Sequence, residues 1–227
     1  NTRRIEKTLT TGNPDGEEVV VLAGLNEEDE ANQLVLEIRD SVQMKGYKYK
    51  DIAVLYRSNF QSRVFEESFS KHKIPYHIEN GTSFYQRREV KILLDYLRFI
   101  DASISYEGDE ALRQIINIPN RYIGRTFMEE LLNHASSNNL SLYQSLKAIR
   151  IDIPYVRRYV REFISIIEPL IKDTEQIEPA EMIGILREVL DYDRYITDDN
   201  IPSPDDEKIA NINQLQLSAA RYNDIRS

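Results

Sequence analysis

The amino-acid sequence predicts an α/β segment with a partial parallel sheet over residues 1–100, followed by an all-α domain over residues 101–227. Two observations predict this division. In the first hundred residues, short β-branched runs alternate with amphipathic stretches, as in parallel strands joined by crossover helices. Beyond about residue 101 the strand pattern fades and helix-start signals recur. A chain of 227 residues is long enough for two small cores.

The first predicted strand is the apolar run Val19–Ala23, whose β-branched residues suit a strand buried on both faces. Asn26 follows as a helix N-cap, and the acidic residues Glu27–Glu30 complement the positive end of that helix. Apolar side chains then recur at helical spacing, at Ala31, Leu34, Val35, Ile38 and Val42. Gly46 is a helix stop signal.

Two further strands complete the predicted sheet. Ile52–Tyr56 is the second strand, and Tyr76–Glu79 is the third. A short helix with Val64, Phe65 and Phe69 lies between them, and a longer helix follows with an apolar face at Val90, Leu93, Leu94, Leu97 and Ile100. Three strands form a thin sheet with open edges, so we expect part of this domain to lie outside the chain.

The second half predicts helices only. They are expected at Asp109–Asn117, Thr126–Ala135, Ser141–Arg150, Pro154–Lys172, Pro179–Asp191 and Pro204–Tyr222. Thr126 with Glu129, and Ser141 with Gln144, fit capping boxes, and the three prolines suit first-turn positions. The acidic stretch Asp191–Asp206 predicts a mobile, solvated connection.

The sequence lacks the residues of a self-sufficient enzyme. It contains no G-x-x-x-x-G-K-[ST] phosphate loop, no cysteine, and three histidines without metal-ligand spacing. We therefore expect no catalytic residue, no cofactor-binding residue, no metal site and no ATP hydrolysis by this chain alone. It has no apolar run of about 18 residues and no export signal, so we expect no membrane contact and a cytoplasmic location.

Net charge does not decide the partner. The chain carries a net charge of −9, and residues 101–227 hold 14 Lys and Arg against 22 Asp and Glu. Residues 41–91 nevertheless hold ten basic residues against five acids. An acidic protein can therefore still present a basic groove to nucleic acid.

One candidate DNA contact lies at the end of the second predicted strand, in Tyr56-Arg57-Ser58-Asn59. Ligands of parallel sheets bind at the carboxyl ends of the strands, and an adjacent Arg and Asn suit backbone phosphates and base edges. In the alternative, structural interpretation, Arg57 pairs with a nearby acid and Asn59 caps the next helix. The residues alone leave both interpretations open.

A second candidate is the segment Ile118–Thr126 between two helices. A hairpin with a glycine that leads into a helix exposes backbone N–H groups to a phosphate, and flanking arginines add charge-assisted bonds. This layout is that of a helix–hairpin–helix element that binds DNA without reading its sequence. An ordinary corner between helices is the alternative. The candidate residues are Arg121, Tyr122, Ile123, Gly124, Arg125 and Thr126.

Three blocks of sequence resemble the UvrD/PcrA/Rep family of superfamily 1 DNA helicases. Asp51–Glu67 is similar to D-[IF]-A-[IV]-L-Y-R-[ST]-N-x-Q-S-R-V-x-E-E. Ile74–Arg98 resembles I-P-Y…G-G-x-x-F-x-x-R-x-E-[IV]-K…Y-L-R, and Ile115–Gly124 resembles I-[IV]-N-x-P-x-R-G-I-G. The shared order of the blocks makes the resemblance specific.

The resemblance implies that residues 1–100 are the first segment of a RecA-like motor domain, 2A, and that residues 101–227 are most of a helical insertion, 2B. The whole protein would be an ATP-dependent 3′-to-5′ DNA helicase of repair or replication, with ATP and Mg²⁺ bound in domain 1A, outside this chain. Its partners would be single-stranded DNA, the duplex junction, domains 1A and 1B, and repair proteins. Arg57 and Asn59 would contact the single strand, and the hairpin Arg121–Thr126 would contact the duplex.

Tyr122 departs from the family pattern, because the first glycine of G-I-G is tyrosine here. If this position has a positive φ, the tyrosine is strained by about 1–2 kcal/mol, or else the hairpin differs. Its ring could also pack on the sugar–phosphate surface. Two other functions stay open: a helicase–nuclease subunit of the AddA/RecB type, and a non-catalytic module that binds DNA or a repair protein.

Overall fold

The computed structural model describes residue 12 and residues 16–57, 61–79, 82–197 and 206–225. Its helices are α1 (Glu27–Gln43), α2 (Ser62–Lys71), α3 (Arg88–Ala102), α4 (Tyr106–Ile115), α5 (Arg125–Asn138), α6 (Leu142–Ala148), α7 (Pro154–Lys172), α8 (Pro179–Val189), α9 (Tyr192–Ile196) and α10 (Glu207–Ala219). Single 3₁₀ turns lie at Tyr49–Asp51 and Phe84–Gln86. None of the helices described is long and apolar enough to span a membrane.

The predicted parallel sheet is wrong, because the described residues contain helices and no strand. The segments expected to be strands, Val19–Ala23, Ile52–Tyr56 and Tyr76–Glu79, have no sheet hydrogen bonds. Val19 is 94% exposed and Leu55 is 94% exposed. A β-branched run expresses a local preference that becomes a strand only when a neighbouring strand accepts its backbone bonds, and these runs have no such neighbour.

The predicted helix starts are confirmed where a capping side chain or a first-turn proline defines them. The Asn26 side chain accepts a hydrogen bond from the Asp29 N–H at the start of α1. Ser141 and Gln144 form the expected capping box of α6, with distances of 3.0 and 3.2 Å. Pro154 and Pro179 occupy the first turns of α7 and α8. Pro204 lies outside the described residues.

Two predictions about the helical half are wrong. Thr126 does not cap α5, since the N-cap is Gly124 and no side chain bonds to this helix end. Part of the stretch expected to be a mobile connection is ordered, because it contains α9. The Tyr192 side chain is buried, and its hydroxyl donates to the Glu89 carbonyl at 2.8 Å. Its partner is distant in sequence, so the local acidic composition gave no sign of it. Residues 198–205 lie outside the described part of the chain.

The core consists of two hydrophobic clusters. The smaller one joins α1 and α2 through Val35, Ile38, Phe69 and Ile74. The larger one begins at Phe84 and includes side chains from α3 to α10. Helix α3 therefore packs with the helical half, although it precedes residue 101. The division into residues 1–100 and 101–227 stays a prediction.

Hydrogen bonds between polar side chains connect α2 and the start of α3 to α10. The Arg87 guanidinium donates to the Asn211 side chain at 2.7 Å, and the Asn211 amide donates to the Glu89 carboxylate at 2.6 Å. Ser218 on α10 donates to Glu67 on α2 at 3.2 Å. These contacts place the start of α3 against α10, so Arg87 and Glu89 have structural roles.

Candidate nucleic-acid interface

The segment between α4 and α5 is organised by the Asn117 side chain. Its oxygen accepts hydrogen bonds from the Arg121 N–H at 2.9 Å and from the Ile123 N–H at 3.2 Å. The Ile118–Pro119 peptide bond is cis. The Asn120 side-chain oxygen accepts a further hydrogen bond from the Tyr122 N–H at 3.2 Å. The hairpin is therefore closed by side-chain bonds to its own backbone.

Arg121 points into the protein. It is 6% exposed, and its guanidinium donates to the carbonyls of Ile115, Ile116 and Ile118 at 3.3, 3.2 and 2.7 Å. The same group donates to the Tyr96 hydroxyl at 3.2 Å and lies 5.0 Å from the centre of the Phe163 ring. Burial raises the pKa of Tyr96, and the neighbouring Arg121 charge opposes that shift.

These contacts hold the Arg121 guanidinium inside the protein in this structure, and the phosphate contact stays a prediction. The positive guanidinium donates hydrogen bonds to the carbonyls at the C-terminal end of α4, where the helix dipole favours a cation. The sequence shows that the hairpin contains an arginine at position 121, but it does not show whether the side chain points to solvent or into the protein. In this conformation the Arg121 side chain does not face solvent.

Tyr122 has a positive φ, which is the case in which the sequence predicts strain at this position. Its φ is +53°, in the left-handed region, and the side chain is 62% exposed. The ring lies 6.0 Å from the ring of Tyr159 on α7, centre to centre. An exposed aromatic side chain thus occupies a place where the backbone favours glycine.

The cost of this backbone conformation can be measured with two substitutions that both remove the ring. We expect Tyr122→Gly to be more stable than Tyr122→Ala by about 1 kcal/mol, because only alanine retains the Cβ that the left-handed region disfavours. Urea unfolding of the two variants, followed by circular dichroism, measures this difference. Equal stabilities would mean that the hairpin adopts a negative φ in solution.

Helix α5 begins at the exposed end of the hairpin. Its N-cap, Gly124, has φ −80° and ψ 170°, and a Cβ built there meets no atom within 4 Å. No side chain caps the helix, so the backbone N–H groups of the exposed residues Arg125 and Thr126 have no capping side chain. The Arg125 side chain is 91% exposed and pairs with Glu129 at 2.7 Å. Ile123 is buried and anchors the hairpin.

Arg57 follows the extended segment 52–56, which precedes α2. Its side chain is exposed, and its backbone N–H donates to Gln61 at 3.0 Å. Among the residues described, no acid pairs with its guanidinium, which argues against the structural interpretation. Asn59 lies outside the described residues. The structure brings Arg57 into contact with no residue of the hairpin.

The expectation that ATP and Mg²⁺ bind outside this chain stays a prediction. In this part of the chain, no three His, Asp or Glu side chains are grouped to hold a metal ion. A cleft of about 480 Å³ opens between α1, α2 and the end of α10, and contains none of the candidate site residues. Its lining combines the carboxylates of Glu28, Glu66 and Glu67 with the basic side chains of Lys71 and Arg221.

Sequence reasoning assigned no role to three residues that shape the hairpin. Asn117 closes it, Tyr159 supports the Tyr122 ring, and Phe163 receives the Arg121 guanidinium. A recognisable signal existed for Asn117 alone, because an Asn before a Pro-containing turn often bonds to the backbone that follows. The two α7 residues meet the hairpin only through the tertiary fold.

Comparison with known proteins gives a consistent result. A family model described as the UvrD-like helicase C-terminal domain matches residues 1–224. The chain is 39% identical over 186 residues to the ATP-dependent DNA helicase PcrA of Staphylococcus aureus, strain Mu50, and covers 25% of that protein with 81% of its own length. PcrA of Staphylococcus epidermidis, strain ATCC 12228, matches with the same identity and coverage. The chain therefore spans about a quarter of the length of these relatives.

Proposed function

This chain belongs to the family of UvrD-like helicase C-terminal domains, and we propose that it supplies DNA contacts within an ATP-dependent 3′-to-5′ DNA helicase. The relatives named as ATP-dependent DNA helicases are about three times as long as this chain, so the motor activity is proposed for the whole protein. Unwinding in repair or replication, in the cytoplasm, is the corresponding cellular role. Other parts of the protein, domains 1A and 1B, would bind ATP and Mg²⁺.

Within this proposal, the chain has two DNA contacts. Arg57 and Asn59, in domain 2A, would hold the single strand, and the hairpin of domain 2B would hold the duplex ahead of the fork. Each cycle of ATP binding and hydrolysis in the other domains would then move the single strand past Arg57. The hairpin would stay bound to the duplex during this movement. The backbone contacts of such a hairpin are independent of sequence, as unwinding requires.

The observation that carries the duplex contact is the open, uncapped start of α5 at Gly124. The space around its Cα permits close approach of a phosphate, and N–H groups without a capping side chain, at the positive helix end, favour an anion. The neighbouring Arg125 side chain is exposed and can exchange its partner Glu129 for a phosphate.

The substitution Gly124→Asp tests this contact without weakening the fold. Aspartate is a better N-cap than glycine, and the backbone at position 124 is extended, so the variant should be at least as stable as the parent. Its carboxylate would occupy the N–H groups and repel a phosphate. In the full-length protein we expect duplex affinity to fall about 10-fold, measured by fluorescence anisotropy with a labelled duplex.

Two further variants serve as controls. Gly124→Asn caps the helix without charge, so it should weaken duplex binding less than Gly124→Asp. Gly16→Asp places the same charge at another glycine with open surroundings and should leave affinity unchanged. If Gly124→Asp is stable and binds duplex as tightly as the parent, the hairpin is only a corner between helices and the duplex contact is refuted.

A further inference from the structure

The first turns of α7 carry an arginine-rich surface beside the hairpin. The residues Arg157, Arg158 and Arg161 are exposed, in a chain whose net charge is −9. Two acids lie in the same region: Asp152 pairs with Arg150 at 2.9 Å, and Glu162 follows Arg161 directly. Three exposed arginines thus lie in this stretch, where Arg157 donates to the Asp152 carbonyl at 3.3 Å and, among the described residues, Glu162 has no ion pair. This local excess of positive charge favours a polyanionic partner.

The surface is continuous with the hairpin through aromatic rings. The Tyr122 and Tyr159 rings are in contact, with their centres 6.0 Å apart and their planes inclined by 43°. The Arg158 guanidinium lies 4.8 Å from the centre of the Tyr159 ring. Beneath them, Arg121 rests on Phe163, 5.0 Å from its ring centre. The contacts therefore run from Tyr122 to Tyr159 and from Tyr159 to Arg158.

Arg158 and Arg161 have no competing ion pair in the part of the chain that the structure describes. They are three positions apart on α7, so their side chains leave the same face of the helix. Stacking on Tyr159 restricts the Arg158 side chain and lowers the entropy lost when it binds a ligand. Both guanidinium groups are thus free to bind phosphate, which their planar donor geometry matches.

We propose that this face of α7, defined by Arg158, Tyr159 and Arg161, is a second phosphate-binding surface that extends the duplex contact beyond the hairpin. The inference rests on the proposed function, since the hairpin determines which polyanion is close. Duplex DNA fits better than an acidic protein, because the exposed ring of Tyr122 and the half-buried ring of Tyr159 suit sugar–phosphate surfaces, and the hairpin would bind backbone next to them. Tyr159 acts as a positioning residue for Arg158.

The test measures the salt dependence of duplex binding by the full-length protein. The double variant Arg158→Gln/Arg161→Gln should reduce the slope of log affinity against log salt by about 1.8, since each lost phosphate contact accounts for about 0.9. Single-strand affinity should stay unchanged. Lys172→Gln is the matched control, because Lys172 lies on the same helix about 21 Å from Arg158 and should leave the slope unaltered.

Substitutions of Tyr159 separate positioning from stability. Tyr159→Leu should weaken duplex binding several-fold, and Tyr159→Phe, which keeps the ring under Arg158, should restore it. An unchanged slope in the arginine double variant would overturn the α7 surface. If Gly124→Asp still weakens duplex binding in that case, the proposed function survives; if neither variant has an effect, both proposals fail.

Discussion

Replacing Arg121 with alanine is expected to lower the free energy of unfolding by about 3 kcal/mol, the scale for loss of a buried, charged hydrogen-bond donor. The guanidinium is the partner of three carbonyls at the end of α4 and of the Tyr96 hydroxyl. Alanine would remove the charged donor and the contact with Phe163. The Ile115 and Ile118 carbonyls would keep only neutral donors, the Tyr96 hydroxyl for both and the Ile118 N–H for Ile115. Urea unfolding of this chain, followed by circular dichroism, measures the loss.

Arg125→Ala is the matched control, because it removes an arginine from the same hairpin. Its side chain is 91% exposed and its ion pair with Glu129 is on the surface, so we expect a change below about 0.5 kcal/mol. Arg121→Lys should lie between the two, since lysine keeps the charge but cannot donate as a fork. Equal, small effects at Arg121 and Arg125 would show that Arg121 does not occupy this site in solution.

The different environments of the two arginines also determine how DNA-binding data can be interpreted. A variant that lacks both charges would lose duplex affinity through unfolding of the hairpin, whatever Arg125 contacts. The phosphate contact is therefore tested at Gly124 and Arg125, with Arg121 intact. Loss of binding in Arg121→Ala alone would be evidence about folding.

Sequence predicted the elements whose determinants lie within a few residues of each other. Asn26 and Ser141 cap helices because their side chains reach backbone groups only three positions away. The glycine that the family has at position 122 left a positive φ open there, and the structure has one. The three-block motif was sufficient to identify the family.

The features that the sequence did not predict correctly depend on contacts between distant parts of the chain. The run Val19–Ala23 has strand-like composition, but a strand requires a partner, and local pattern does not report one. The direction of Arg121 depends on Tyr96 and Phe163, which are far away in sequence. Tyr192 is buried by its contact with Glu89, although acids surround it in the sequence.

Arg57→Ala should weaken single-strand binding by the full-length protein about 10- to 100-fold, which corresponds to roughly 1–3 kcal/mol for a charge-assisted bond. The Arg57 side chain is exposed and meets no acid among the described residues, so its removal should leave the free energy of unfolding nearly unchanged. Nucleotide binding should also persist, because the proposed ATP site lies elsewhere. Fluorescence anisotropy with a labelled oligonucleotide measures the affinity.

Lys50→Ala is the matched control for Arg57→Ala, since it removes another exposed basic residue from the same positively charged stretch and should change affinity little. Arg57→Lys separates charge from geometry: a bidentate phosphate contact would not be restored by lysine, whereas general attraction would be. If Arg57→Ala destabilises the protein and leaves single-strand affinity unaltered, Arg57 is a structural residue. In that case other residues hold the single strand. Of the single-strand and duplex contacts proposed for this chain, the duplex contact of the hairpin would then be the one that remains.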